Sequence, residues 1–265
     1  MKKRLWKGFL ILLAVLLAGY LAVQGYIALE TKKRADAPGN AAEYDVDKLD
    51  RHEESLLTGK TILFLGSSVT EGAAAEGQSF VELFEALDGV NAIKEAKSGT
   101  TLADKVSLPA LLFFGNGESY VKRLKQIAPD ARIDCVVVQL STNDATMKLP
   151  LGELGDGNPK TVTGAMEWII RYSRETWSCP VVFYTGSHYD SDAYAAMVER
   201  LYALQEQWDV GVIDLYTDEA FNAIDPETRD FYMYDAIHPT KAGYLEWWLP
   251  KMETELIRIL SEKEA

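Results

Sequence analysis

Three short segments of the chain carry side chains that could make and break covalent bonds. In Gly66-Ser67-Ser68-Val69-Thr70-Glu71-Gly72 the flanking glycines permit a sharp turn after an apolar run, leaving Ser68 where a nucleophilic hydroxyl would sit. Gly-x-Ser by itself is equally an ordinary strand-to-helix turn with a serine cap. In Ser141-Thr142-Asn143-Asp144 an amide follows another apolar run, and its NH₂ group could donate to a developing oxyanion; alone it is also a capped turn. In Asp235-Ala236-Ile237-His238-Pro239-Thr240 the spacing of three lets the carboxylate accept from one imidazole nitrogen while the other faces Ser68. Any one of these is weak. Their combination describes a hydroxyl, a base, an acid that orients the base, and a donor for negative charge.

Such groups must be held at one edge by rigid elements. Thr61–Leu65, Val136–Leu140 and Val181–Tyr184 are continuous β-branched or apolar runs, the pattern of strands buried on both faces of a parallel sheet. Val90–Ile93 and Val210–Leu215 are weaker strand candidates. Helical stretches lie between them at Phe80–Leu87, Tyr120–Ile127, Met166–Trp177 and Tyr194–Trp208, and an aromatic-rich helix follows the histidine segment. In the Tyr194–Trp208 stretch, Met197, Leu201, Leu204 and Trp208 recur at helical spacing and read as core. Alternating strand and helix predicts a three-layer α/β fold. In open parallel sheets ligands bind beyond the carboxyl ends of the strands, which is where the Ser68 and Asn143 segments fall.

Ahead of this domain, Gly8–Leu29 is apolar or small apart from Gln24, enough to cross a hydrocarbon core of ~30 Å. Residues 1–34 are therefore expected to form a membrane anchor. The nearest small-x-small cleavage site, Ala35-Asp36-Ala37, lies beyond Lys32-Lys33-Arg34; cleavage there, giving a secreted protein, is the alternative. Lys2, Lys3, Arg4 and Lys7 precede the span and three basic residues follow it, which points, by a thin margin, to an inside amino terminus and an extracytoplasmic domain. Residues 35–57 read as a polar linker and 58–265 as a single domain.

The net charge is −13, yet residues 1–34 hold seven Lys/Arg and one acid, so the remainder carries 20 positive against 39 negative side chains. That surface repels phosphate backbones and anionic head groups, which argues against nucleic acid as a partner and for neutral or cationic substrates. Cys135 and Cys179 form no metal-binding or redox motif; they either pair between neighbouring strands or stand as separate buried thiols.

The order of the three segments, with Lys97-Ser98-Gly99-Thr100-Thr101 between the first two, resembles the SGNH (GDSL) hydrolase family over roughly residues 60–260. The resemblance implies a flavodoxin-like three-layer α/β/α fold with a five-stranded parallel sheet. It also implies Ser68, Asp235 and His238 as catalytic residues, and an oxyanion hole built from the N–H groups of Ser68 and Gly99 and the Asn143 side chain. No metal or organic cofactor is required. Two positions depart from the family pattern: Ser67 replaces the usual acid before the nucleophile, and Ser141 the glycine that usually opens the third block. The implied reaction is hydrolysis of carboxylic esters with small acyl groups, carbohydrate O-acetyl esters among them. The alternatives are a lysophospholipase or acyltransferase with the same triad, and a tethered binding domain without turnover.

Of the other histidines, His52 lies in the linker and is expected to be solvated, whereas His188 follows a strand and could line the substrate pocket or be a plain loop residue. Residues 147–160, rich in glycine and proline, form a long loop beside Asn143; it is either a substrate-recognition loop or a solvated connection. Trp247 and Trp248 read as helix packing.

Overall fold

The computed structural model describes residues 2–105 and 118–264. Five strands, β1 (Thr61–Gly66), β2 (Asn91–Ala96), β3 (Cys135–Gln139), β4 (Val181–Tyr184) and β5 (Gly211–Ile213), form one parallel sheet in the order β2-β1-β3-β4-β5. The chain winds outward in one direction from β1 to β2 and in the other from β3 to β5, so a crevice opens between the carboxyl ends of β1 and β3.

Strand alternation decides the core. Leu63, Leu65, Val136, Val138, Val181 and Phe183 point to one face, while Ile62, Phe64, Cys135, Val137, Val182 and Tyr184 point to the other, all fully or almost fully buried. Both faces being apolar, each needs a helical cover. The first face packs against Tyr120–Leu124, Val162–Trp177 and Asp192–Trp208, the second against Phe80–Asp88 and the terminal helix Leu249–Glu264. The helix Phe80–Asp88 starts at a capping box in which the Ser79 side chain accepts from the Val81 N–H and Glu82 reaches back to the Ser79 N–H. Two short helices, Glu219–Asn222 and Pro226–Tyr232, lie outside the stretches expected to be helical. Cys135 and Cys179 are both free and buried.

The first helix, Lys2–Ala35, contains a stretch, Leu12–Ala35, long and apolar enough to cross a membrane, and none of its most apolar window is covered by the domain. Residues 35–57, read from the sequence as a polar linker, are largely exposed, yet part of the segment touches the domain. They form three successive one-turn 3₁₀ helices, Pro38–Asn40, Ala42–Tyr44 and Val46–Lys48, that lie along the domain. Leu57 is fully buried, whereas His52 is exposed while placing Nδ1 3.3 Å from the buried Asp88 carboxylate. Such single turns are too short to show an apolar period, although Tyr44, Val46 and Leu49 pack on the domain.

Phe80 is the hub of the second core. Its ring lies within 6.5 Å, centroid to centroid, of Phe64, Phe84, Tyr184, Tyr244 and Trp248. Phe80→Ala should destabilise the fold by about 3–5 kcal/mol. The check is urea unfolding followed by tryptophan fluorescence, with a lowered midpoint and an unchanged slope.

Candidate active site

β1 ends at Gly66, and a Cβ there would lie 1.7 Å from Thr70 Oγ1, so no side chain fits as the chain turns into a short helix, Ser68–Glu71. The turn is fixed from below by the side chain of Gln139, the last residue of β3. Its Oε1 accepts from the Ser67 N–H (2.8 Å), Ser67 Oγ (3.3 Å) and Thr70 Oγ1 (2.9 Å), and Thr70 Oγ1 also meets Tyr184 Oη at 2.6 Å. Ser68 is thereby held at the start of the short helix, 8% exposed.

The far end of the chain supplies the imidazole. A bridge between Met233 and Pro239 closes a loop in which the Tyr234 N–H donates to the His238 carbonyl. Inside it, Asp235 Oδ1 accepts from the N–H groups of Ile237 and His238, both at 2.8 Å. His238 Nδ1 lies 2.9 Å from each Asp235 oxygen, and Nε2 lies 2.8 Å from Ser68 Oγ. A proton on Nδ1 is shared with the carboxylate, which leaves the Nε2 lone pair facing the hydroxyl. Partial burial would raise the Asp235 pKa, but the hydrogen bond and charge of His238 and the two backbone donors outweigh it and hold the pKa at about 2. Tyr244 Oη donates to the Val69 carbonyl at 2.6 Å, tying this segment directly to the Ser68 turn.

Gly99 has φ of +74°, a conformation glycine adopts without strain. Its neighbours are anchored from three sides. Glu71 accepts from the Ser98 N–H (2.8 Å) and from Ser98 Oγ. Asn143 Nδ2 donates to the Thr100 carbonyl at 2.8 Å, leaving its second N–H for another acceptor. Asp144 accepts from the N–H groups of Leu102 and Ala103 at 2.8 and 2.9 Å. Burial pushes the Asp144 pKa up to about 6, against the pull of its hydrogen bonds with Ser141, Ala103 and Leu102. The buried Arg123 guanidinium donates to the Gly66 carbonyl at 2.6 Å and to Thr100 Oγ1 at 3.2 Å, joining the Ser68 turn to the Gly99 segment. Glu71, Gln139, Asp144 and Arg123 escaped the sequence reading. Glu71 and Asp144 stand inside the motifs themselves, but nothing in the sequence indicates which distant N–H groups they serve.

The two departures from the family pattern are both fully buried. Ser67 binds Gln139, and Ser141 caps the helix Thr142–Thr146 by accepting from the Asp144 N–H. His188 stacks on Tyr216 at 5.0 Å, and its backbone bonds Asn222 and Arg229, so these contacts are with the loop after β5 and the short helices Glu219–Asn222 and Pro226–Tyr232. The 147–160 loop is pinned by the buried Glu167 carboxylate to the N–H groups of Gly155 and Gly157, and Leu149 and Leu151 line a cleft of about 260 Å³ with Asp144 and Met197. Among the described residues the one cluster with metal-ligating geometry is His52, Asp88 and Glu253, at the amino-terminal edge of the sheet and so opposite the triad.

The arrangement can activate a hydroxyl and meet a negative oxygen, the requirements of acyl transfer. The sequence matches the model of the GDSL-like lipase/acylhydrolase family over residues 64–245. No curated protein matches the chain. Similar solved structures include a Lactobacillus plantarum protein (21% identity, 77% of this chain and 98% of that one, TM-score 0.61) and an acetyl xylan esterase (16%, 73% and 98%, 0.52). A further one is a carbohydrate esterase family 2 enzyme with a carbohydrate-binding domain from Corynascus thermopiles, also called Myceliophthora fergusii (15%, 78% and 67%, 0.50). With a family match covering most of the chain and a five-stranded fold of the same kind, the protein belongs to the GDSL-like lipase/acylhydrolase family and is a hydrolase of ester bonds.

Proposed function

We propose that Ser68 is the nucleophile of a membrane-tethered, extracytoplasmic esterase acting on small acyl groups, such as O-acetyl groups on carbohydrate. The observation that carries the reading is the unbroken chain of contacts Ser68 Oγ–His238 Nε2 and His238 Nδ1–Asp235. As Ser68 Oγ attacks the ester carbonyl, His238 takes its proton and Asp235 stabilises the imidazolium formed. The N–H groups of Ser68 and Gly99 and the free N–H of Asn143 receive the oxyanion. His238 then protonates the leaving alcohol, and water, deprotonated by the same imidazole, releases the acyl group as the acid.

The substrate class draws support from two similar folds, an acetyl xylan esterase and a carbohydrate esterase, and from an acidic domain that disfavours anionic substrates. The apolar helix supports tethering, and the basic residues ahead of it support an outward-facing domain. We place the catalytic domain at residues 58–265, with 35–57 as a juxtamembrane strap.

Hydrolysis of p-nitrophenyl acetate should fall to background in Ser68→Ala and His238→Ala, with circular dichroism unchanged. Asn143→Ala should lose about 10²–10³ in turnover, because the remaining donors still meet the oxyanion. Folded wild type without turnover or fluorophosphonate labelling would overturn the reading in favour of a binding domain.

Asp235 supplies a pH test. Its folded pKa of about 2 lies below the ordinary 3.8, so its pairing stabilises the fold fully above the ordinary value and is lost as pH falls through the folded one. The difference in thermal midpoint between wild type and Asp235→Asn should close as pH falls from about 4 to about 2. A difference that does not depend on pH would contradict the assignment of the charge.

A further inference from the structure

The apolar run of the first helix ends at Leu29, and the next residues touch both catalytic segments. Tyr234 Oη, one residue before Asp235, donates to Glu30 Oε2 at 3.0 Å, and the Arg34 guanidinium stands over the Tyr234 ring at 5.7 Å. Arg34 Nη1 donates to the carbonyl of Ala73, five residues beyond Ser68, at 3.1 Å. The buried Asn40 then joins the two sides. Its Nδ2 donates to the carbonyls of Arg34 (2.6 Å) and Ala74 (2.7 Å), and its Oδ1 accepts from the N–H of Lys241, three residues after His238, at 2.8 Å. Lys241, itself 4% exposed along its side chain, places Nζ on Asp45 at 2.5 Å and on Glu76, and Gln78 Oε1 accepts from the Val46 N–H at 2.8 Å.

A free linker of this length would let the domain wander by a root-mean-square distance of about 25 Å. The clamp removes that freedom. Glu30, the first charged residue after the apolar run, is bonded to the residue adjoining Asp235, and one residue step is about 3.8 Å. The triad is therefore tied to the end of the apolar run through one Glu–Tyr contact, a reach of roughly 10–20 Å, at the outer side of a head-group layer about 5–8 Å deep. Clamp contacts reach the segment after Ser68 and the segment around His238 by different atoms, so the same residues that carry the apolar span also set the height of the site.

From this geometry we infer that the enzyme acts on an ester borne in the head-group layer of the bilayer, on a neutral amphiphile such as an acylated glycolipid. The inference rests on the reading of Ser68 as nucleophile and of the first helix as a membrane span. The chemistry is unchanged: the lipid-borne alcohol leaves with the proton from His238, and water releases the acyl group as the acid. Neutrality follows from the excess of acidic side chains beyond the anchor, which repels anionic head groups.

The test uses the full chain in phosphatidylcholine nanodiscs and a variant with about ten Gly/Ser residues inserted between Leu29 and Glu30, which leaves every clamp contact with the domain but frees the domain from the bilayer. Two esters are compared, soluble p-nitrophenyl acetate and an O-acetylated octadecyl glucoside embedded in the disc, and a fluorophosphonate dye on Ser68 reports energy transfer to acceptor-labelled lipid. The expected result is an unchanged rate on the soluble ester, a fall of about tenfold or more on the embedded one, and weaker energy transfer in the variant. If wild type labels and cleaves the soluble ester but the insertion changes neither the embedded-ester rate nor the energy transfer, the inference is overturned and the esterase reading stands. If wild type neither labels nor cleaves either ester, the reading of Ser68 falls and the inference with it.

Discussion

Ser68 Oγ and His238 Nε2 are 170 residues apart in the chain and 2.8 Å apart in space, and the surrounding structure holds that distance from both ends. Neither residue lies on a long regular element that could fix it unaided. Ser68 depends on the end of β1, where the missing Cβ of Gly66 and the Gln139 side chain determine the turn. His238 depends on the Met233–Pro239 bridge and on an Asp235 carboxylate that bonds both the loop backbone and the ring. Tyr244 joins the two halves through the Val69 carbonyl. A misplacement of about 1 Å in such a pair can cost on the order of 10²-fold in rate, which is why so many buried polar groups converge here.

The parts of this site legible in the sequence are those set by local chemistry. The apolar runs of β1, β3 and β4 are buried on both faces, so they read as strands without an alternating pattern, and their ends lie within a residue of where the runs stop. The serine, asparagine and Asp-x-x-His segments were visible because each pairs a reactive side chain with a turn signal. Long-range partners were not legible. Glu71 and Asp144 act on N–H groups 27 and about 40 residues away, and Arg123 joins two segments on either side of β2. The contacts of residues 35–57 escaped for a related reason: Asn40 and Val46 meet groups far along the chain, and only the folded domain shows which.

Ser67 and Ser141, the departures from the family pattern, share a physical logic. Both are fully buried, and an acid at position 67 would place a charge beside the Gln139 oxygen that already accepts from Ser67 and Thr70. A neutral hydroxyl that donates to that oxygen fits the same space at lower cost. At 141 the hydroxyl caps the helix that presents Asn143, a task glycine performs less well because it has no side-chain acceptor. Each change alters support around the site and leaves Ser68, Asn143, Asp235 and His238 in their contacts.

The central claim is that Ser68 carries the acyl group between the two halves of the reaction. Rapid acid quench of the chain with p-nitrophenyl acetate, followed by digestion and mass spectrometry, tests it directly. The account predicts a gain of about 42 Da confined to the peptide containing Ser68, formed and lost at rates matching turnover. Turnover without any acylated peptide, or with the acyl group on another residue, would contradict it.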